Sequence, residues 1–342
     1  MLIEVGRVGR CRWIPAGTVA VLAGMTALTG VLPAAASPTK LVDCNTNHNA
    51  LQPAIGGAVP GETLLVTGRC TGPFTISSDL TLAGFGSAVL DGRAAGRTVT
   101  IGSGASVLLI HLVITNGRGG IDNQGTLTIR DSAVRANLRS AGPGGGINNA
   151  VHATLVVSDS RVEHNDSSGA GGGIDNNGSM TVLDSDLSLN IADSCGGIDS
   201  AGTGNTAQVI RSKLHDNTAR AADGGGVCDS GGSTLTLSDS MVYSNGARFG
   251  AGVYDNGGTE SVTGSTVTRN VASDRGAGLY NVNGGTITVS HSAVDRNLAR
   301  GGPGSGGGIY NALGTVTLIR SSVRDNNPDN CDPSGSVPGC TG

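Results

Sequence analysis

A column of aspartates is the part of the sequence whose residue types could do chemistry. Aspartate precedes a recurring serine at Asp131, Asp159, Asp184 and Asp239, and Arg211 holds the equivalent place in the copy between the last two. If these residues lie in successive layers of a β-structure, neighbours are about 4.8 Å apart and next-neighbours about 9.6 Å apart. Such spacings suit the paired carboxylates of glycoside hydrolysis or the ligands of a cation. Aspartate before serine is also a common turn sequence, in which the carboxylates are simply hydrated.

Three tyrosines form a second candidate set. Tyr254, Tyr280 and Tyr310 each follow the aliphatic residue of a recurring Gly-Ile-x-Asn segment. An aromatic strip of this kind would provide a platform for a sugar ring, but stacked tyrosines also stabilise adjacent parallel strands. We expect the column to face outward. Earlier copies of the segment carry Asp122, Asn148, Asp175, Asp199 and Cys228 at the same position.

All of these side chains belong to a repeat of about 27 residues. Its first element is the Gly-Ile-x-Asn segment, in which glycine always precedes the aliphatic residue. The seven intervals between the eight copies span 188 residues. The aliphatic residues are Ile121, Ile147, Ile174, Ile198, Val227, Val253, Leu279 and Ile309.

Each copy continues into a segment of alternating polar and apolar residues, which is typical of a half-buried strand. One apolar column of this segment is complete, and the column two residues earlier is apolar in seven of eight copies, with Glu260 as the exception. The complete column is Ile129, Val157, Val182, Val209, Leu237, Val262, Val289 and Leu318. A third element begins with serine and ends in an asparagine that is present every time: Asn137, Asn165, Asn190, Asn217, Asn245, Asn270, Asn297 and Asn326.

Three short strands per repeat, joined by glycine and asparagine corners, predict one coil of a solenoid. No repeat holds the ten or so residues of helical periodicity that a crossover helix requires. We therefore predict an all-β fold, a single-stranded right-handed parallel β-helix of about eleven coils over residues 60–326. Because the asparagine recurs in every coil, we interpret it as a structural ladder of amide hydrogen bonds rather than as a site.

The composition agrees with this architecture. Glycine accounts for 58 of the 342 residues and only eight residues are aromatic, which suits many tight corners around a narrow aliphatic interior. The 11 prolines are too few for collagen. The hydrophobic share of 37% and the charged share of 14% exclude a highly charged disordered chain.

The first 36 residues have the features of a secretory signal peptide. Arg7, Arg10 and Arg12 precede an apolar stretch that ends at a small-residue cleavage pattern after Ala36. A short membrane anchor is the alternative, but the stretch is interrupted by glycine and lacks a charged stop-transfer flank. Removal of residues 1–36 leaves 19 basic and 25 acidic residues, and this negative net charge disfavours nucleic acid as a partner.

The exported chain retains an even number of cysteines, which predicts disulfides. Cys331 and Cys340 would close a C-terminal loop cap at residues 327–342, and Cys44 with Cys70 would fix an N-terminal cap segment at residues 37–59, where residues 50–54 could form a short helix. Cys195 and Cys228 remain, although they occupy different columns of the repeat. The histidines are scattered and there is no Cys-x-x-Cys, so we predict no metal and no cofactor.

The repeats resemble a known group of proteins. Gly144-Gly145-Gly146-Ile147 and Val162-Glu163-His164-Asn165 look like the repeats of polymorphic outer-membrane proteins and related right-handed parallel β-helix proteins. More loosely, residues 60–326 are similar to the pectin-lyase-like superfamily. The resemblance implies the fold, but it says little about function, because such proteins include adhesins, lyases and glycosidases.

Together these observations lead us to expect a secreted, non-catalytic protein for surface adhesion or glycan binding. Its partner would be a cell-surface polysaccharide or another envelope component, not nucleic acid. Its location would be extracellular or at the cell envelope, with no membrane span after signal removal. One alternative is a polysaccharide lyase or glycoside hydrolase that uses Asp131, Asp159 and Asp184. The motifs typical of polygalacturonases are absent from the sequence, and only two lysines are present. A third possibility is ice binding, because threonine recurs on the alternating strand from Thr126 to Thr315.

Overall fold

The computed structural model describes residues 38–341, and the predicted signal peptide at residues 1–36 lies outside them. These residues form a parallel β-solenoid of about eleven turns, which confirms the predicted fold class. One helix, Leu51–Gly56, is present in the described part of the chain, and it buries Leu51, Ala54 and Ile55 against the first turns. Every strand pair is parallel because each turn places its strands directly over those of the turn before.

Four sheets run along the solenoid. Sheet A has the strands Thr39–Asp43, Glu62–Thr67, Leu80–Gly84, Ser106–Ile110, Thr126–Arg130, Thr154–Ser158, Ser179–Leu183, Thr206–Ile210, Thr234–Ser238, Thr259–Thr263, Thr286–Ser290 and Thr315–Ile319. Sheet B has Arg69–Thr71, Val89–Asp91, Val113–Thr115, Ala133–Arg135, Arg161–Glu163, Asp186–Ser188, Lys213–His215, Met241–Tyr243, Thr266–Thr268, Ala293–Asp295 and Ser322–Arg324.

The other two sheets complete each turn. Sheet C has Phe74–Ile76, Val99–Ile101, Ile121–Asn123, Ile147–Asn149, Ile174–Asn176, Ile198–Ala201, Val227–Ser230, Val253–Asn256, Leu279–Val282, Ile309–Ala312 and Cys331–Asp332. Sheet D has Leu138–Arg139, Asp166–Ser167, Ile191–Ala192, Thr218–Ala219, Gly246–Phe249, Val271–Arg275 and Leu298–Ala299. The repeat pattern predicted three strands per coil and missed sheet D, because five of its seven strands are only two residues long and show no alternation.

The interior is built from stacked aliphatic columns. Leu127 pairs with Leu155, which pairs with Met180, and all three side chains are buried. The column that contains Ile129 and Val157 is equally buried. Burying such a column removes apolar surface from water at every turn, which stabilises the stack by about 25 cal/mol per Å².

The predicted asparagine ladder is confirmed. Asn217 Oδ1 accepts hydrogen bonds from the backbone N–H and the side-chain amide of Asn190, each at 3.0 Å. Asn217 Nδ2 donates to the carbonyl of Leu187 at 2.9 Å and to Asn245 Oδ1 at 3.1 Å. The amide is buried, so its hydrogen bonds connect three turns at the corner between sheets B and D.

Glycine is required at the corner before sheet C. A Cβ atom built on Gly173 would lie 2.6 Å from the carbonyl oxygen of Gly197 in the next turn. That separation is well below van der Waals contact, so a larger residue would force the turns apart. The constant glycine of the Gly-Ile-x-Asn segment therefore follows from the close stacking of turns.

All three predicted disulfides are present. Their partners are Cys44 with Cys70, Cys195 with Cys228 and Cys331 with Cys340. The solenoid ladder extends beyond the predicted range of 60–326. Sheet A begins at Thr39–Asp43, and Cys331–Asp332 pairs with the last turn of sheet C. Within residues 38–341, no helix is long and apolar enough to cross a membrane.

Candidate functional site

The aspartate column lies at the corner between sheets A and B. Asp131, Asp159, Asp184 and Arg211 have positive φ angles of 48°, 50°, 48° and 46°. Aspartate tolerates this left-handed conformation better than most residues, whereas arginine pays a larger steric penalty there. The corner therefore gives aspartate a conformational role and also directs its carboxylate into solvent.

A shallow groove of about 930 Å³ runs along this corner and the outer face of sheet B. It brings together all three aspartates that the sequence singled out, at successive turns. Four carboxylates and four cationic side chains line it, so the groove is polar but close to neutral in charge. These charged residues are Asp131, Asp159, Asp184, Asp186, Arg135, Arg161, Arg211 and Lys213.

The charges in the groove are already partly paired. Arg211 donates from Nε and Nη2 to the two carboxylate oxygens of Asp184, each at 2.8 Å. This bidentate contact lowers the pKa of Asp184 and keeps it ionised. Asp131 lies 3.7 Å from His111 Nε2 and 3.5 Å from Arg130 Nε. An ionised, salt-bridged Asp184 is poorly suited to protonate a leaving group, which requires a raised pKa.

The three tyrosines do stack in register. Ring centroids are 5.5 Å apart for Tyr254 and Tyr280 and 5.2 Å apart for Tyr280 and Tyr310, with the rings within 11° of parallel. Phe249 packs on Tyr280 at 5.3 Å, and the Arg275 guanidinium lies 5.2 Å from the Tyr310 ring centroid. The stacked rings cover one another's faces, while a sugar ring stacks on a free aromatic face. This geometry favours the role of the tyrosines in stabilising adjacent strands.

Part of the tyrosine column differs from the expectation that it faces solvent, whereas Asp122 and Asn148 in the same column remain partly exposed. Asp175 and Asp199 are buried, because the loops before sheet C fold over them. The backbone of the loop residue Gly171 is so close that a Cβ built on it would lie 2.7 Å from the Asp175 backbone. The two carboxyls share a hydrogen bond, and burial raises the pKa of Asp175 to about 6 and of Asp199 to about 7. The positive charge of Arg97 lies near Asp175 and partly offsets this increase in the pKa of Asp175.

The outer face of sheet A carries the threonine column that raised the possibility of ice binding. The residues from Thr126 to Thr315 in this column are exposed and in register. The parallel column two residues on is interrupted by Val156 and Gln208. The double threonine array is therefore incomplete on this face.

A buried acidic cluster was not recognised as a possible site from the sequence. Asp229, Asp255 and Glu260 are at most 1% exposed, and their carboxylate oxygens lie within 4.8 Å of one another inside the solenoid. The sequence signal was present, since Glu260 breaks the apolar column of sheet A. Asp229 and Asp255 similarly replace the asparagine of the Gly-Ile-x-Asn segment.

No known protein family, curated protein or solved structure matches this chain. The fold and the groove define it as a parallel β-solenoid repeat protein with a mixed-charge groove along one corner.

Proposed function

We propose that this is a secreted, non-catalytic β-helix protein that binds a weakly charged polysaccharide of the cell surface in the groove over sheet B. The observation that carries the proposal is the groove itself, in which Asp131, Asp159 and Asp184 recur at successive turns beside cationic side chains. The disulfides and the predicted signal peptide agree with export.

The chemistry of the groove suits a hydroxyl-rich polymer. Carboxylates accept hydrogen bonds from sugar hydroxyls, and the guanidinium groups of Arg135 and Arg161 donate to sugar oxygens. The corner carboxylates of Asp131, Asp159 and Asp184 repeat once per turn, whereas the cationic side chains occupy different positions of sheet B. An extended chain lying along the solenoid would therefore meet a carboxylate at each of three successive turns. The near balance of charge disfavours strongly anionic polymers, including nucleic acid.

Catalysis is the second candidate, because the groove gathers carboxylates with arginines as a lyase or hydrolase would require. Asp184 is held ionised by Arg211, which leaves it without the raised pKa of a general acid. Binding without turnover is therefore the function that this geometry supports best.

The proposal is tested by measuring binding to a panel of neutral and acidic polysaccharides by affinity electrophoresis and calorimetry. We expect binding to a neutral polysaccharide, weakened at least about tenfold by Asp159→Asn combined with Arg161→Ala. The matched control is Asp239→Asn, because Asp239 has the same corner conformation with φ of 51° but lies outside the groove. It should bind like the wild-type protein.

The same reactions distinguish the alternatives. Release of unsaturated or reducing ends that Asp159→Asn abolishes would replace the binding proposal with the enzymatic one. Loss of binding in Tyr280→Ala, with the groove variants unaffected, would move the site to the tyrosine strip. Thermal hysteresis of the wild-type protein, without polysaccharide binding, would favour ice binding instead.

A further inference from the structure

The interior of the solenoid contains acidic residues where other turns carry neutral ones. In sheet C, the inward column of asparagines includes Asn123, Asn149 and Asn176, and each amide bonds to the next turn at 2.8 to 3.3 Å. Asp229 and Asp255 occupy two successive positions of this ladder, directly before Asn281. A ladder of amides tolerates carboxylates poorly, since a carboxylate has no N–H to donate to the next turn.

Glu260 adds a third carboxyl to the same place. It pairs with Leu235 on one side and Ile287 on the other, in a column that is apolar in the neighbouring turns. Its side chain is 1% exposed and lies beside Asp229 and Asp255. Three carboxyls are therefore concentrated within two turns of an otherwise aliphatic and amide interior.

Most of these oxygens find no hydrogen-bond donor. In the described part of the chain, no donor is in good hydrogen-bond geometry with either oxygen of Glu260, with Asp229 Oδ2 or with Asp255 Oδ2. The backbone N–H groups of Thr259 and Thr286 nevertheless lie close enough to Asp229 and Asp255 to oppose the rise of their pKa values. The remaining oxygens are satisfied, because Ser233 Oγ donates to Asp229 Oδ1 and the Gly258 N–H donates to Asp255 Oδ1 at 2.7 Å. Each of the three residues therefore keeps at least one carboxylate oxygen without a donor in good geometry.

The neighbouring amide contributes a further oxygen. Within residues 38–341, Asn281 Oδ1 also lacks a hydrogen-bond donor, although its Nδ2 donates to three acceptors. A Cβ built on Gly285 would lie 2.2 Å from Asp255 Oδ2 and 2.3 Å from Asn281 Oδ1. Both oxygens therefore border the space beside Gly285, which a larger residue would fill.

Converging oxygens without donors require a positive charge. Unpaired carboxylates in an apolar interior are strongly unfavourable, so the group must hold protons or bind a cation. One carboxylate oxygen from each of the three residues lies within 4.8 Å of the other two, which is close enough for all three to be ligands about 2.4 Å from a common ion.

We propose that Asp229, Asp255, Glu260 and the amide oxygen of Asn281 form a buried binding site for a hard divalent cation of the Ca²⁺ class. The donor set is all oxygen, which calcium prefers and which disfavours zinc. The ion joins successive turns at a point where the amide ladder is interrupted, so its role is to stabilise the stack. This site is separate from the groove over sheet B and does not depend on the proposed function.

Proton competition follows from the same burial. Burial raises the pKa of Asp229 to about 7 and of Asp255 to about 6, and it raises the pKa of Glu260 well above its ordinary value. A bound cation must displace these protons, so affinity increases with pH. The binding experiment is therefore done at pH 8.

The test uses the exported protein after treatment with a chelator and its removal. Titration calorimetry with Ca²⁺ at pH 8 should show one ion bound per chain. At about a hundredfold excess over Kd, the midpoint of thermal unfolding should increase by about 5 °C or more. Mg²⁺ should bind more weakly, because it demands a tighter octahedral shell. Absence of Ca²⁺ binding and of any shift would overturn the proposal and show that the carboxyls hold protons instead.

A variant that restores the residues of the other turns locates the site. Asp229→Asn, Asp255→Asn and Glu260→Leu together return the amide ladder and the apolar column, so this variant is expected to fold. It should lose the bound ion and unfold at a temperature that Ca²⁺ no longer affects. Retention of stoichiometric binding would overturn the assignment.

The matched control removes the same number of carboxylates from the groove. Asp131→Asn, Asp159→Asn and Asp184→Asn should weaken polysaccharide binding but leave Ca²⁺ binding unchanged. If this variant lost the bound ion instead, the cation site would lie in the groove and the proposal for the interior would be wrong. Failure of polysaccharide binding alone would bear only on the proposed function.

Discussion

Replacing Asn217 by alanine tests how much the asparagine ladder contributes to stability. The substitution removes four hydrogen bonds, two accepted by Oδ1 at 3.0 Å and two donated by Nδ2 at 2.9 and 3.1 Å. The backbone N–H of Asn190 is then left buried without its acceptor, a loss of about 1–3 kcal/mol. The three other lost bonds contribute about 0.5–1.5 kcal/mol each, so we expect a total destabilisation of about 5 kcal/mol, at the centre of a range of about 2.5–7.5 kcal/mol.

The measurement is urea unfolding followed by circular dichroism, with the midpoint and slope compared to wild type. Asn256→Ala is the matched control, since its side chain accepts one exposed hydrogen bond from Asn283 at 2.7 Å. That variant should lose no more than about 0.5 kcal/mol. Equal stability of the Asn217→Ala and Asn256→Ala variants would refute the idea that the buried amides hold the turns together.

Three further predictions concern other parts of the solenoid. Cys195→Ser should lower the free energy of unfolding by about 2–4 kcal/mol, because it removes a crosslink between residues 33 apart in sequence. A reducing agent should then change the urea midpoint of this variant less than that of the wild-type protein. Gly173→Ala should lower the thermal midpoint or abolish soluble expression, since its Cβ would meet a carbonyl oxygen at 2.6 Å; wild-type stability would contradict the close-stacking explanation. The pKa values of Asp175 and Asp199 are raised in the folded protein to about 6 and about 7, so folding favours the protonated carboxyls. Their contribution to stability is therefore full below pH 4 and is lost as the pH rises through 6 to 7. In the variant that lacks the buried acidic cluster, the thermal midpoint should therefore fall from pH 5 to pH 8, and Asp199→Asn should flatten that profile.

The repeat made the fold predictable because each turn imposes the same demands on the same position. Asn217 and its equivalents recur every turn, and their burial and mutual hydrogen bonds are confirmed. Sheet D was missed because its strands, such as Asp166–Ser167, are too short to show alternation. The fold could thus be predicted from the repeat, and the prediction was incomplete only where the strands were too short to show an alternating pattern.

The environment of individual site residues was harder to predict. The gathering of Asp131 and Asp159 at one corner follows from their shared place in the repeat. The burial of Asp199 could not be predicted from the repeat, because the loops that cover it vary in length from turn to turn. The convergence of Asp229 and Glu260 joins two columns that are separated in sequence, and their meeting depends on which faces of sheets A and C point inward.

Carboxylate footprinting tests the central proposal most directly. Carbodiimide labelling of the free protein should modify the exposed carboxylates of Asp131, Asp159, Asp184 and Asp239. With a bound polysaccharide, we predict that the first three are protected and that Asp239 is labelled as before. Unchanged labelling of the groove aspartates in a saturated complex would contradict the account, because the polysaccharide would then bind elsewhere on the solenoid.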